Sequence, residues 1–405
     1  MAKARIITGL DIGSSTIKAL TVQKKPKEDN LQILSQSREG SSGIRKGVVV
    51  NVDEVTKTIT ACIDKAEEES RKRINEVYVN IGGCHIFCTA SHGLVSVSRA
   101  DQKISQADIE RVMQAAQTFS LPSNKEVLEV FPKEFIIDGE KDIKEPLGME
   151  GVRLEAEVLA LGCFSPYLKN LTQAVLNSGL QINDLILTPV ASSRAVLKQK
   201  EKELGVALLD IGAATSGLAV FEEGNLIHAT IFPLGSANIT NDIAILLRID
   251  IDTAERIKLE FGSCFYRGNK KKEKIKVESL PEPLNFSKKT LVNIIEARVS
   301  EIFDQVNKEL KKISRQSLLP AGIVLTGGGA KLPKLVELAK KELKLPCRIG
   351  FPQGFTPSLE DISLTTASGL ILCGLDLEEG GHIPRFGLSQ GIGAKLKRIF
   401  KIFIP

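Results

Sequence analysis

Leu10-Asp11-Ile12-Gly13-Ser14-Ser15-Thr16-Ile17-Lys18 decides how this chain folds, because it returns in altered form as Leu209-Asp210-Ile211-Gly212-Ala213-Ala214-Thr215-Ser216-Gly217. Each copy follows an apolar run that reads as a buried strand, 5–9 and 206–208. Each leads into a second strand, 18–22 and 217–221, and through a polar turn into a third, 31–35 and 226–231. From Asp11 to Asp210 the unit repeats after 199 residues. Small residues in a tight turn let backbone N–H groups converge on one spot, and such a concavity suits anions, above all phosphate. An Asp at the strand end can hold a hydrated divalent metal. One Asp-Ile-Gly is often no more than a strand ending at a turn. Two copies with matching flanks point to facing turns that clamp a polyphosphate from both sides.

At 405 residues the chain exceeds what one core organises, so two or more domains are expected. Apolar content of 42% and charge of 25% are those of a soluble globular protein. No run of 18 apolar residues suggests a membrane-spanning helix. The N-terminus enters a strand and the first turn at once, which leaves no room for a signal peptide. Seven scattered Cys, an odd number, fit reduced thiols in the cytoplasm. Net charge is +5, but residues 391–405 hold Lys395, Lys397, Arg398 and Lys401 and no acid, which leaves +1 for the rest. A near-neutral body with a basic end argues against nucleic acid as a partner.

Residues 1–83 read as the first half of a mixed α/β domain, with a helix over 52–73 and a strand over 76–83. Residues 84–160 break that rhythm: a capping-box helix over 105–119, strands at 93–97, 126–131 and 134–137, and a Pro/Gly-rich stretch at 146–152. This is a small inserted subdomain. Cys84, His85, Cys88 and His92 at its start have metal-ligand chemistry, but their spacing equally fits a strand, and no second Cys pair lies nearby to close a site. A strand at 157–162 and a helix over 166–177 resume the main domain, followed by a strand at 185–187 and a small-residue helix over 188–197. The second half brings a helix over 252–261, a basic run at 267–276 read as a solvated hairpin turn, and a helix over 287–312. A strand at 321–325 then meets Thr326-Gly327-Gly328-Gly329-Ala330 and a helix over 333–343, where a flat ring can lie against backbone near a helix N-terminus. A second small-residue helix, 365–374, mirrors 188–197, and together they suit a close crossing between two halves.

Residues 376–390, with three glycines and Pro384, read as a flexible linker. In the last fifteen, 391–405, a helix would gather Ile392, Leu396, Ile399, Phe400, Phe403 and Ile404 on one stripe, flanked by Lys395, Lys397, Arg398 and Lys401. That is the pattern of a helix lying in a membrane interface, where anionic lipid adds about 1 kcal/mol per basic residue. The alternative is a helix docking on the protein's own body or on a partner. One such helix binds weakly; several on one polymer bind firmly.

Two phosphate turns, two small-residue helices and a Gly-rich nucleoside turn, in this order, resemble the actin-like ATPase superfamily and, within it, the FtsA family of bacterial cell-division proteins. The resemblance is most specific at 128–139, 147–156, 239–244 and the amphipathic tail. It implies an α/β, actin-like (ribonuclease H-like) duplicated fold, with two lobes around a nucleotide cleft. The first lobe would comprise 1–83, 161–204 and 363–375, with 84–160 inserted; the second lobe's core would be 205–235 and 303–362, with 236–302 its subdomain. It implies a site for ATP and Mg²⁺. Asp11, Gly13, Ser14, Ser15 and Lys18 match the first phosphate loop, and Asp210, Gly212 and Thr215 the second. Asp11 and Asp210 would hold Mg²⁺ through water. Gly327, Gly328, Gly329 and Lys331 match the adenosine loop, and Glu255 and Lys258 the helix that meets ribose and adenine. It further implies head-to-tail polymers on the cytoplasmic side of the cell membrane at the division septum. There the protein would bind the FtsZ C-terminal peptide on 236–302, with Arg298 in that dock, and recruit downstream division proteins.

Two departures bear on the chemistry. Thr188 stands at the catalytic place where many relatives offer a Glu or Gln to position the attacking water, and Thr is no general base near neutral pH. The second turn reads Gly-Ala-Ala where many members have more glycines. Both imply ATP binding with slow hydrolysis, the nucleotide acting as a conformational ligand. A PilM-like platform for pilus assembly is the alternative within the superfamily, and a small-molecule kinase the alternative from another class.

Overall fold

The computed structural model describes residues 5–26, 28, 30–118, 121–265, 274–277 and 284–378. The expected tail helix and most of the linker lie outside them. β1 (Arg5–Ile12) turns back at Gly13 as β2 (Thr16–Lys24), with Asp11 opposite Lys18, and β2 pairs with β3 (Leu31–Gly40). α1 (Val52–Ser70) starts where the Asn51 side chain accepts from the Glu54 N–H, and it buries Val55, Ile59, Cys62, Ile63 and Ala66, the 3.6-residue stripe its spacing predicts. A helical crossover permits a parallel return, and β4 (Glu76–Ile81) lies parallel to β1.

The insert follows: β5 (Phe87–Ser96), α2 (Gln106–Gln117), β6 (Lys125–Ile137), β7 (Glu140–Ile143) and β8 (Arg153–Phe164), in the sheet order β5-β8-β6-β7. The two strands expected at 126–131 and 134–137 are one. Pro132 sits opposite Val158 and Glu134 opposite Glu157, so Lys133 is an extra residue that bulges out. A bulge admits a proline that a regular ladder would reject. β8 serves two cores by its period of two. Leu154, Ala156, Val158 and Ala160 pack with α2, while Leu159, Leu161 and Cys163 join the first lobe. The boundary expected between 160 and 161 therefore falls inside a continuous strand.

α3 (Ser165–Asn177) leads to β9 (Gln181–Leu187), which lies parallel to β4 at one edge of the first sheet, and α4 (Thr188–Val196) leads out of it. β10 (Val206–Ile211), β11 (Ser216–Glu222) and β12 (Asn225–Phe232) then repeat the opening unit, with Asp210 opposite Gly217. α5 (Ser236–Leu247), which the sequence reading did not assign as a helix, packs beside α6 (Ile251–Phe261). β13 (Lys274–Val277) and β14 (Leu284–Ser287) pair antiparallel, so Lys274 and Lys276 lie in a strand and not in the turn expected there. α7 (Lys288–Lys312) returns the chain to β15 (Ile323–Thr326), parallel to β10. α8 (Leu335–Leu343) and β16 (Cys347–Ile349) close the second sheet, β12-β11-β10-β15-β16. β17 (Phe355–Thr356) crosses back to pair with β3, and α9 (Thr365–Glu378) packs on β1 and β4.

The small-residue helices α4 and α9 cross between the halves. A Cβ added at Gly369 would stand 1.8 Å from the Ala191 carbonyl oxygen, so only glycine permits this approach. α9 runs through Asp376 to Glu378, and Asp376 accepts from Arg194 Nε at 2.5 Å and Nη2 at 2.9 Å. Residues 376–378, expected as the start of the linker, therefore belong to this helix. No helix among the described residues is long and apolar enough to cross a membrane. All seven cysteines are free.

Candidate functional site

The repeated turns have the same local geometry. The Gly13 N–H donates to the Thr16 carbonyl at 3.2 Å and the Gly212 N–H to the Thr215 carbonyl at 2.9 Å. A Cβ at either glycine would come within 2.8 Å of that same carbonyl oxygen. Both turns face one cleft of about 490 Å³. Every residue assigned from sequence to catalysis or nucleotide contact lines it: Asp11, Gly13, Ser14, Ser15, Lys18, Thr188, Asp210, Gly212, Thr215, Glu255, Lys258, Gly327, Gly328, Gly329 and Lys331. The volume suits one nucleotide-sized ligand.

On the first-lobe side, Lys18 Nζ lies 3.0 Å from Asp11 Oδ2, because their strands pair in register. Asp11 Oδ1 accepts from Asn80 Nδ2 at 3.0 Å. Asn80 Nδ2 also reaches Thr188 Oγ1 at 3.2 Å, and Thr188 donates its proton to the Ile81 carbonyl at 3.1 Å. On the second-lobe side, Asp210 Oδ2 accepts from Ser192 of α4 at 2.5 Å and Thr366 of α9 at 3.2 Å. Burial pushes the Asp210 carboxyl above its usual range and the nearby Asp11 charge adds to this, while the Ser192 and Thr366 hydroxyls and Lys18 oppose it. A bound divalent cation would favour the ionised form.

At the nucleoside end, Gly327 has φ +84° and stands where a Cβ would meet Asp210 Oδ1 at 2.2 Å. Lys258, on the buried face of α6, donates to Thr240 Oγ1 at 2.9 Å and Glu255 Oε2 at 2.6 Å. Asp361 bridges two cations: Lys331 at 2.8 Å from the Gly-rich turn and Arg38 at 3.0 Å from β3. Burial alone would raise the Asp361 carboxyl, but Lys331, Ser363 and Arg38 hold it well below the usual carboxylate range.

These residues fit the groups the fold implies. Two turns closed to any side chain at Gly13 and Gly212 leave backbone toward the cleft, and two carboxylates lining it with Lys18 beside one of them suit a phosphate chain and a hydrated Mg²⁺. Asn80, Ser192, Thr366, Arg38 and Asp361 were missed in the sequence. Asn80 alone carried a signal, a polar residue at the end of an otherwise apolar strand.

Arg298 lies outside the cleft, on α7. Its fork is taken by Asp242 of α5, at 2.7 and 2.9 Å, with Glu301 beside it. Cys84, His85, Cys88 and His92 do not assemble: no group of three or more possible ligands exists among the described residues. His92 pairs with Glu155 at 2.7 Å, and His85 packs edge-on against Tyr167. Burial pushes the His85 imidazole down to about 4.

A family model described as "Cell division protein FtsA" matches residues 207–369, and one described as "SHS2 domain inserted in FTSA" matches 83–161. The chain is 37% identical over 382 residues to the "Cell division protein FtsA" of Pseudomonas aeruginosa, covering 93% of this chain and 91% of that one. It is 36% identical to that of Bacillus subtilis, with 92% and 84% covered. For Escherichia coli K12 the values are 32%, 98% and 96%. Among solved structures, a "PilM-PilN type IV pilus biogenesis complex" superposes with a TM-score of 0.67 at 18% identity, covering 91% of this chain and 98% of its own. MreB5 of Spiroplasma citri bound to ADP gives 0.57 at 14%, covering 93% and 98%. At such identities the likeness is one of fold, the actin-like fold.

Proposed function

The chain belongs to the FtsA family of cell division proteins, and from that premise we propose that it binds ATP with Mg²⁺ in the cleft, polymerises head to tail on the cytoplasmic side of the membrane, and tethers the FtsZ ring there. The observation that carries the nucleotide part is the pair of equivalent turns, Gly13 and Gly212, facing one cleft from opposite lobes. Asp11 and Asp210 would hold the metal through water, Ser14, Ser15 and Thr215 would meet phosphate, and Gly327 to Gly329 would back the nucleoside. Mg²⁺ supplies charge neutralisation along the phosphate chain.

Among the described residues three acids line the cleft, and each is engaged: Asp11 by Lys18 and Asn80, Asp210 by Ser192 and Thr366, Glu255 by Lys258. Thr188 has its only proton on Ile81. Among the described residues that line the cleft no acid lacks a hydrogen-bonding partner, which supports slow hydrolysis and disfavours a small-molecule kinase. ATP then acts by occupancy, favouring the closed arrangement of the lobes. The pilus-platform alternative is a likeness of fold; the sequence relatives are cell division proteins.

The FtsZ peptide would meet the second-lobe subdomain near Arg298. Because Asp242 already occupies that guanidinium, an acidic peptide would bind by exchanging with it. The tail stripe from Ile392 to Ile404 would anchor the polymer on anionic lipid, many weak helices acting together. The direct experiment is co-sedimentation with anionic liposomes, comparing the full chain with one ending at Gln390, with and without ATP–Mg²⁺. The full chain alone should pellet, and more so with ATP. Both chains remaining in the supernatant would overturn the membrane reading and make the tail a docking helix.

A further inference from the structure

Asn80 is the next-to-last residue of the strand Glu-Val-Tyr-Val-Asn-Ile, whose other buried side chains are Val77, Tyr78, Val79 and Ile81, and it is 5% exposed. A polar amide so buried must find partners. Its partners lie on two other elements, β1 and α4. Its Oδ1 accepts the Ile12 N–H at 2.7 Å, the last amide of β1 before the first phosphate turn. Its Nδ2 donates to Asp11 Oδ1 at 3.0 Å and to Thr188 Oγ1 at 3.2 Å, at the first residue of α4.

The orientation of the amide follows from chemistry. Ile12 offers only a donor, so the Asn80 carbonyl must face it, and the NH₂ must then face Asp11 and Thr188. Each consequence is specific. Asp11 now has a donor on each oxygen, Asn80 on Oδ1 and Lys18 on Oδ2, so its carboxylate plane is fixed toward the cleft. Thr188 gives its proton to Ile81 and one lone pair to Asn80. One side chain therefore sets the carboxylate of the first phosphate turn and ties it to the helix that crosses between the lobes.

We propose that Asn80 is a positioning residue of this cleft: it aims Asp11 at a hydrated divalent cation on the nucleotide and couples that carboxylate to the start of α4. The proposal rests on the nucleotide reading of the cleft. Partners that orient a metal-directed carboxylate commonly change metal affinity by about 10- to 100-fold when removed, so the effect should appear in the Mg²⁺ dependence of binding and not in nucleotide contact as such.

The test is binding of a fluorescent ATP analogue to the full chain, titrated with Mg²⁺ and repeated in EDTA, for wild type, Asn80→Ala and the isosteric Asn80→Asp. Asn80→Ala should need about tenfold more Mg²⁺ for half-maximal tight binding while its affinity in EDTA changes by less than about threefold. Asn80→Asp sets a second carboxylate against Asp11 and should lose Mg²⁺-dependent tightening further; it preserves shape, so it carries the test where the Ala variant fails to fold. A wild-type Mg²⁺ profile in the variants would overturn the role of Asn80 while leaving the nucleotide reading intact. A wild-type chain that binds no analogue under either condition would overturn that reading, and the role of Asn80 with it.

Discussion

Replacing Gly369 by alanine tests the crossing on which the two-lobed arrangement depends. The new Cβ would lie 1.8 Å from the Ala191 carbonyl oxygen and 2.3 Å from its carbon, both backbone atoms that cannot swing aside. Ordinary contact begins near 3.4 Å, so α4 and α9 must part by about 1.5 Å. That displacement acts where Thr366 Oγ1 and Ser192 Oγ meet at 3.1 Å and both hold Asp210. Overpacking commonly costs about 1–3 kcal/mol, and losing a hydrogen bond to a carboxylate costs about 1.5–3 kcal/mol more. A loss of about 3 kcal/mol is expected, read as a fall in melting temperature on the order of 5 °C. Gly40→Ala is the matched control, because nothing lies within 4 Å of its new methyl and its backbone needs no special conformation. It should be neutral or slightly stabilising. Thermal melts of both variants, with and without ATP–Mg²⁺, decide the matter. A Gly369→Ala protein that melts within about 1 °C of wild type would refute the claim that this contact sets the helix spacing.

Three further outcomes follow from the site. ATP turnover by the full chain should fall below the ordinary enzyme range, under about 1 s⁻¹ in a phosphate-release assay; turnover of tens per second would show that a base has been overlooked. Ser192→Ala removes the 2.5 Å donor to buried Asp210 and should weaken ATP–Mg²⁺ binding about tenfold by fluorescence titration, with less change at Ser363→Ala, which lines the cleft mouth. His85, whose ring nitrogens have no partner among the described residues, is pushed by burial from 6.5 down to about 4. The fold therefore favours neutral His85, a contribution complete above pH 6.5 and lost as pH falls toward 4. Melting temperature should decline across that window in wild type and less steeply in His85→Leu.

Much of the cleft was legible because its parts are short and local. A strand, a glycine turn and a returning strand are contiguous, spanning 5–24 and 206–222, so Asp11 to Lys18 and Asp210 to Gly217 could be read directly, as could the glycines at 327–329. The insert was legible as a break in rhythm, but its strand was cut at Pro132, since a proline at a bulge and one at a strand end look alike in sequence. Misassigned linker residues at 376–378 have a related cause. The pairing of Asp376 with Arg194 spans 182 residues, and glycines just beyond it gave the segment its loop-like composition.

What the sequence determined by itself is therefore the duplicated unit, the strongly periodic helices such as 52–70 and the residue types at the two turns, since each depends on the periodicity and chirality of neighbouring residues. What only the tertiary structure decided is who holds those residues in place. Asn80 reaches Asp11 across 69 positions, Thr366 reaches Asp210 across 156, and Arg38 reaches Asp361 across 323. Hydrogen bonds of this kind depend on angstrom-scale separation between elements that meet only after folding, and no local pattern in one segment carries the identity of its distant partner.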